Sequence, residues 1–139
     1  MLRKIQDVMT DGDLAELPPT ATVQVAARLM TAVKQCAALV VSSGQLEGIV
    51  TEQDIVRRVV AAGRDPASTT LFQVMTAHPD TVGPQEPAIK GLQMMEDGGY
   101  RHLPVVGRGR ILGLISRVDY VGAEKTELEN ERHYWEAIG

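Results

Sequence analysis

Two segments of the chain set a hydroxyl and a carboxylate three residues apart behind a glycine. They are Gly48-Ile49-Val50-Thr51-Glu52-Gln53-Asp54 and Gly113-Leu114-Ile115-Ser116-Arg117-Val118-Asp119. A Ser or Thr followed three residues on by an acid suits the start of a helix, and such a pair has two uses. It caps: the hydroxyl takes one free backbone N–H and the carboxylate reaches back for another, with the cap contributing about 0.5–2 kcal/mol. It also binds: a helix N-terminus attracts phosphate, and an acid one turn in can hold a ribose diol, as in dinucleotide folds. The glycine lets a ligand or a neighbouring strand approach closely. Taken alone, the segments fit capping before binding, and both uses stay open.

No other residues make a catalytic or metal set. Cys36, the single cysteine, has no His or Asp near it in sequence. It reads as a small buried hydrophobe in a chain from a reducing compartment. His78 lies in a Pro-flanked link and His133 near the C-terminus, without ligand-like company. No Gly-x-x-x-x-Gly-Lys loop or triad pattern is present, so catalytic residues are expected to be none. A net charge of −4 and five aromatic residues in 139 do not support nucleic-acid binding. No apolar run approaches the ~18 residues of a membrane span, and the N-terminus lacks the apolar stretch of a signal peptide. A cytoplasmic location with no membrane partner is the expectation.

The elements that must position the two segments are themselves repeated. Val8-Met9-Thr10 returns as Val74-Met75-Thr76, Met30 as Met95, Val40-Val41 as Val105-Val106, and Asp54 as Asp119. These anchors keep nearly one register, so the chain is a duplicated unit. Each copy opens on an extended stretch containing proline (Leu17-Pro18-Pro19; His78-Pro79-Asp80-Thr81-Val82). A helix face follows, Val23, Ala26, Ala27 and Met30 in one copy, Ala88, Leu92 and Met95 in the other. Two strands come next, Ala38–Val41 with Leu46–Val50 and Leu103–Val106 with Ile111–Ile115, joined by glycine-containing turns. A second helix is predicted after Thr51 and after Ser116, the first ending at Gly63 before Pro66. A unit of about 60 residues buries little core alone, so the two are expected to pack sheet against sheet with approximate two-fold symmetry. The fold class is α/β (α+β), two β-α-β-β-α repeats. Residues 1–66 are copy one, 67–122 copy two, and 123–139 a C-terminal helical extension.

The chain resembles a tandem pair of CBS domains over about residues 1–122. The likeness rests on the two Val-Met-Thr starts, on Arg101-His102-Leu103-Pro104-Val105-Val106, and on the two glycine-to-aspartate segments. It implies a sensing module that is not an enzyme and needs no cofactor or metal. It also implies two clefts between the repeats for adenosine-containing ligands: AMP, ADP, ATP, S-adenosylmethionine or NAD. In proteins of this kind the Ser/Thr meets phosphate and the Asp holds ribose, which carries over to Thr51, Asp54, Ser116 and Asp119. Ile49 and Leu114 match apolar positions lining the base pocket. Arg101 and His102 match positions where some relatives place basic side chains on phosphates.

The copies differ. In copy two, Arg117 follows the hydroxyl, and guanidinium pairs well with phosphate. In copy one, Glu52 follows it, Cys36-Ala37 replaces Arg101-His102, and Leu39 replaces Pro104. The Asp119 side is therefore expected to take a phosphorylated ligand better. Arg57, Arg58 and Arg64 could supply positive charge on the Asp54 side by folding back, but are expected in solvent or paired with acids such as Glu52 and Asp65. The extension spaces Val121, Leu128 and Trp135 seven apart, with Ile138 beside them. That stripe suits a helix folded back on its own module or a dimer contact. The expected function is a regulatory sensor that signals to an unidentified effector protein, as a homodimer. The alternative is a structural or interaction dimer whose motifs only cap helices.

Overall fold

A computed structural model describes residues 3–10, 12–120, 128–133 and 135–136. The elements run α1 (Ile5–Val8), β1 (Ala15–Leu17), α2 (Val23–Val33), β2 (Ala37–Ser42), β3 (Gln45–Thr51) and α3 (Glu52–Asp54). A π-helical stretch (Ile55–Val60) continues α3, and then come α4 (Leu71–Val74), β4 (Thr76–Ala77), α5 (Ala88–Gly98), β5 (His102–Gly107) and β6 (Arg110–Ser116). A 3-10 turn, Arg117–Asp119, closes the series, and residues 128–133 are helical again.

The chain forms two compact units, and these are not the two sequence copies. One unit is Gly12–Pro79; the other joins Met1–Asp11 to Asp80–Gly139. Each Val-Met-Thr start thus packs with the other copy's hairpin. Ile5 and Val8 of α1 lie in a core with Leu92, Met95, Leu103 and Ile115. Leu71 and Val74 of α4 lie in a core with Val23, Ala26, Met30, Val40 and Val50. Burying each of the larger aliphatic side chains contributes roughly 1.5–3 kcal/mol.

Within the Gly12–Pro79 unit the sheet order is β1-β2-β3-β4. β2 and β3 pair antiparallel from Ala37↔Thr51 to Ser42↔Gln45, with a bulge between Val40 and Val41. Ser43 and Gly44, with φ of 51° and 76°, make the connection. Two successive left-handed residues match the twist of a hairpin. The other unit repeats this with β5, β6, a bulge between Val105 and Val106, and Arg108-Gly109 at φ 53° and 73°. Single bridges there, Val82↔Val105 and Thr10↔Leu114, stand where the first unit has β1 and β4. α2 and α5 bury the apolar faces expected of them, except that Ala27 is only half-buried and Gly91 joins the α5 face.

The second helices depart from expectation. In copy one a single α turn gives way to i→i+5 bonding, Ala61 N–H to Val56 C=O at 2.8 Å and Arg64 N–H to Val59 C=O at 2.9 Å. It ends, as expected, at left-handed Gly63. In copy two the helix stops at Asp119, because Tyr120 turns inward. Its ring is buried and its hydroxyl donates to Ala88 C=O at 2.5 Å. Gly91 leaves room for that hydroxyl, where a Cβ would collide with it. Copy one has Ile55 and Ala26 at the corresponding places and stays helical. Whether a second helix resumes in residues 121–127 lies outside the described residues.

The glycines that open the two segments, Gly48 and Gly113, are fixed by backbone. A Cβ on Gly113 would stand 2.6 Å from Thr10 C=O, and one on Gly48 would stand 2.8 Å from Thr76 C=O. The close approach is that of a neighbouring strand. Gly113→Ala and Gly48→Ala should each destabilise by about 1–3 kcal/mol, the usual cost of overpacking. Gly12→Ala, which meets nothing within 4 Å, should be near neutral. Thermal melts of the three variants check this, and equal melting points would refute it.

Candidate functional site

The residues singled out in the sequence fall into two sets, one per compact unit. Arg101, His102, Leu114, Ser116, Arg117 and Asp119 gather in one unit, and Ile49, Thr51 and Asp54 in the other. The hairpins do the positioning. β5 and β6 place His102 opposite Ser116, and Arg117 N–H donates to Arg101 C=O at 2.9 Å. The basic pair at the start of β5 therefore lies beside the hydroxyl at the end of β6. In copy one Ala37 lies opposite Thr51, and Glu52 N–H donates to Cys36 C=O at 3.0 Å. Ile49 and Leu114 are buried in their strands, paired with Thr76 and Thr10.

Both hydroxyl–carboxylate pairs are capping boxes, but they are closed to different degrees. Asp54 Oδ2 accepts from Thr51 N–H at 2.9 Å and from the Thr51 hydroxyl at 3.1 Å, while Thr51 Oγ1 accepts from Asp54 N–H at 3.2 Å. The other oxygen, Asp54 Oδ1, lies 3.8 Å from Arg58 Nε. Copy one thus spends its hydroxyl proton internally and faces its second carboxylate oxygen with a guanidinium. In copy two Asp119 Oδ2 accepts from Ser116 N–H at 2.8 Å. The box is present there too, but the Ser116 hydroxyl makes no full cap hydrogen bond. Among the described residues Asp119 Oδ1 has no partner. A carboxylate offers about four acceptor positions, so this Asp retains capacity after capping.

Arg117 is not idle. Its Nη1 lies 2.9 Å from Glu96 Oε2 of α5, and Arg132 of the C-terminal helix holds the other oxygen, Oε1, of the same carboxylate. The bond from Arg132, with help from Arg117, keeps the Glu96 carboxyl below its ordinary value. Glu96 escaped the sequence reading because an ion pair between separate elements leaves no spacing pattern. Gln93 also bonds Glu131 at 3.0 Å, and Leu128 packs on the core under α5. The extension therefore folds back on its own unit at these residues. Trp135 remains 60% exposed, and Val121 and Ile138 of the expected stripe lie outside the described residues.

One further expectation needs correction. Cys36 is exposed rather than buried, because it stands one residue ahead of the buried run of β2. Partial burial of its sulfur, then the Glu52 carboxylate, raises its pKa, the reverse of an activated thiolate. Arg58 takes the fold-back course and pairs with an acid, Asp54, and its Nη1 donates to Val74 C=O at 2.9 Å and Met75 C=O at 3.3 Å. It thereby satisfies carbonyls at the end of α4. Arg57 and Arg64 are exposed, as expected. Among the described residues no His/Cys/Asp/Glu cluster could hold a metal, and no helix is long and apolar enough to cross a membrane.

The CBS domain model matches the chain twice, at residues 5–61 and 71–125. The CBS domain-containing protein CBSCBSPB3 of Arabidopsis thaliana is 41% identical over 100 residues, covering 71% of this chain and 18% of that protein. The chain thus spans less than a fifth of that relative's length. The mitochondrial CBS domain-containing protein CBSX3 of the same plant is 33% identical over 138 residues, 91% of this chain and 67% of that protein. Among solved structures, a CBS-domain protein of Burkholderia ambifaria ascribed to signal transduction is 33% identical. It has a TM-score of 0.74 and covers 78% of this chain and 80% of that one. A CBS domain protein of Pyrobaculum aerophilum complexed with AMP shares the fold at TM-score 0.80 and 23% identity, covering 91% of this chain and 98% of that one.

The shared Glu96 carboxylate makes docking of the extension acid-sensitive. Its folded pKa is depressed, so its contribution is fully present above the ordinary value of 4.5 and is lost as pH falls through the lower native value. Acid titration followed by fluorescence of Trp135, the single tryptophan, should show a transition beginning below about pH 4.5. Glu96→Gln should remove that transition, and an unchanged curve would refute the assignment.

Proposed function

The chain belongs to the CBS-domain family and carries the domain twice, and from that membership we propose that it is a regulatory module of the cytoplasm that senses an adenosine-containing ligand. The ligand is an adenine nucleotide foremost (AMP, ADP or ATP), with S-adenosylmethionine and NAD as further members of the class. Ser116 meets its phosphate, Asp119 its ribose, and Leu114 its base; Arg101 and Arg117 add positive charge, with His102 beside them. Thr51, Asp54 and Ile49 form the corresponding but weaker set. Binding alters the conformation or association of the module, and a partner protein responds. A ligand can shift such an equilibrium only by binding one state better than the other.

One observation carries this proposal. Asp119 keeps a carboxylate oxygen free among the described residues after it has capped its turn, next to a hydroxyl with no full cap bond. In copy one the same groups bond each other, with Arg58 and Glu52 alongside. The AMP complex of the Pyrobaculum protein, which shares this fold, supports an adenine nucleotide as the first ligand to try. A second reading, an interaction module whose motifs only cap, draws support from the capping boxes present at both positions.

A thermal-shift panel of AMP, ADP, ATP, S-adenosylmethionine and NAD, with guanine nucleotides as controls, separates the two. Ligand at a hundred times its Kd stabilises by about 2.7 kcal/mol, which for a domain of this size is several degrees. Asp119→Ala removes a cap as well, so the measure is the ligand-induced shift and not the melting point itself. The shift should vanish in Asp119→Ala and largely persist in Asp54→Ala. No shift with any adenosyl compound would favour the interaction module.

A further inference from the structure

We infer that Glu96 sets how strongly the copy-two site discriminates phosphorylated from unphosphorylated adenosyl ligands, and that Arg132 of the C-terminal helix adjusts this setting. The inference rests on the proposed role of Ser116 and Asp119. Arg117 directly follows the phosphate-facing hydroxyl, yet its guanidinium is held 2.9 Å from Glu96 Oε2. For Arg117 to neutralise a phosphate it must leave, or share, that carboxylate. Glu96 therefore opposes a phosphate twice, by holding the cation and by its own negative charge.

Arg132 changes the balance. It occupies the other oxygen of Glu96, so the carboxylate is divided between two cations that repel each other. When Arg117 turns to a phosphate, Arg132 keeps the whole carboxylate and the repulsion is relieved. A docked C-terminal helix thus makes Arg117 easier to release, and a phosphorylated ligand in turn favours docking, because linkage is reciprocal. The arrangement is confined to copy two. At the positions corresponding to Glu96 and Arg117, copy one has Thr31 and Glu52.

All three side chains are partly solvated, with 45%, 26% and 50% exposure for Arg117, Glu96 and Arg132, so modest factors are expected. Calorimetry with AMP and with adenosine, on the full chain, reads them. Glu96→Gln should tighten AMP about two- to fivefold, as a solvated ion pair permits, and leave adenosine unchanged. Arg132→Ala should weaken AMP by a similar factor, again without moving adenosine. Binding of AMP by Glu96→Gln but not by the parent chain would equally support the inference. AMP affinities equal in all three proteins would overturn it while leaving the nucleotide site standing. Parallel changes for AMP and adenosine would also overturn it, since they would indicate general loosening. No binding of either compound by any of the proteins would overturn the inference and the nucleotide site together.

Discussion

The architecture depends on one contact between backbones: Thr10 against Gly113, and its counterpart Thr76–Ala77 against Gly48. At Thr10 the contact is a reciprocal pair, Thr10 N–H to Leu114 C=O at 2.8 Å and Leu114 N–H to Thr10 C=O at 3.1 Å. It completes the hydrogen bonding of β6 just before the chain turns at Ser116. Without a partner there, the last residues of the strand would expose unpaired polar groups. The approach admits no Cβ, which explains a glycine three residues ahead of each hydroxyl. Everything chemical about the two segments stands on a strand end held by this pairing.

The two units then diverge by a few substitutions on a common frame. Tyr120 folds inward over Gly91 and ends its turn after three residues. Ile55 at the matching place lets the chain continue into a wide π-helical stretch that carries Arg58 to the end of α4. The same difference decides what faces each aspartate. Arg58 comes with the longer helix and approaches Asp54, whereas Asp119 has no such neighbour among the described residues. The asymmetry in what faces each aspartate therefore follows from a packing choice made one residue after it.

The repeat, both hairpins, the apolar faces of α2 and α5 and the capping geometry were legible in the sequence, because each has its own periodicity or turn chemistry. Three features were not. The exchange of Val-Met-Thr segments is invisible because both copies carry the motif, so the pattern reads alike whichever hairpin each motif serves. The π-helical stretch is hidden because Ile55 and Val59 are spaced as an α-helix would space them. The pairing of Arg117 with Glu96 leaves no trace because salt bridges between distant elements have no spacing rule. Cys36 is exposed for a local reason that its apolar surroundings in sequence hide: the buried run of β2 begins one residue later.

The exchanged segments also bear on how such a chain closes its hairpins. A protein of one copy would have a hairpin whose outer edge stayed open and a leading segment with nothing to close. Two identical chains could satisfy each other by trading leaders, as in domain swapping, a low-cost route to dimers. In this chain the trade is internal, so the closing of each hairpin does not depend on concentration.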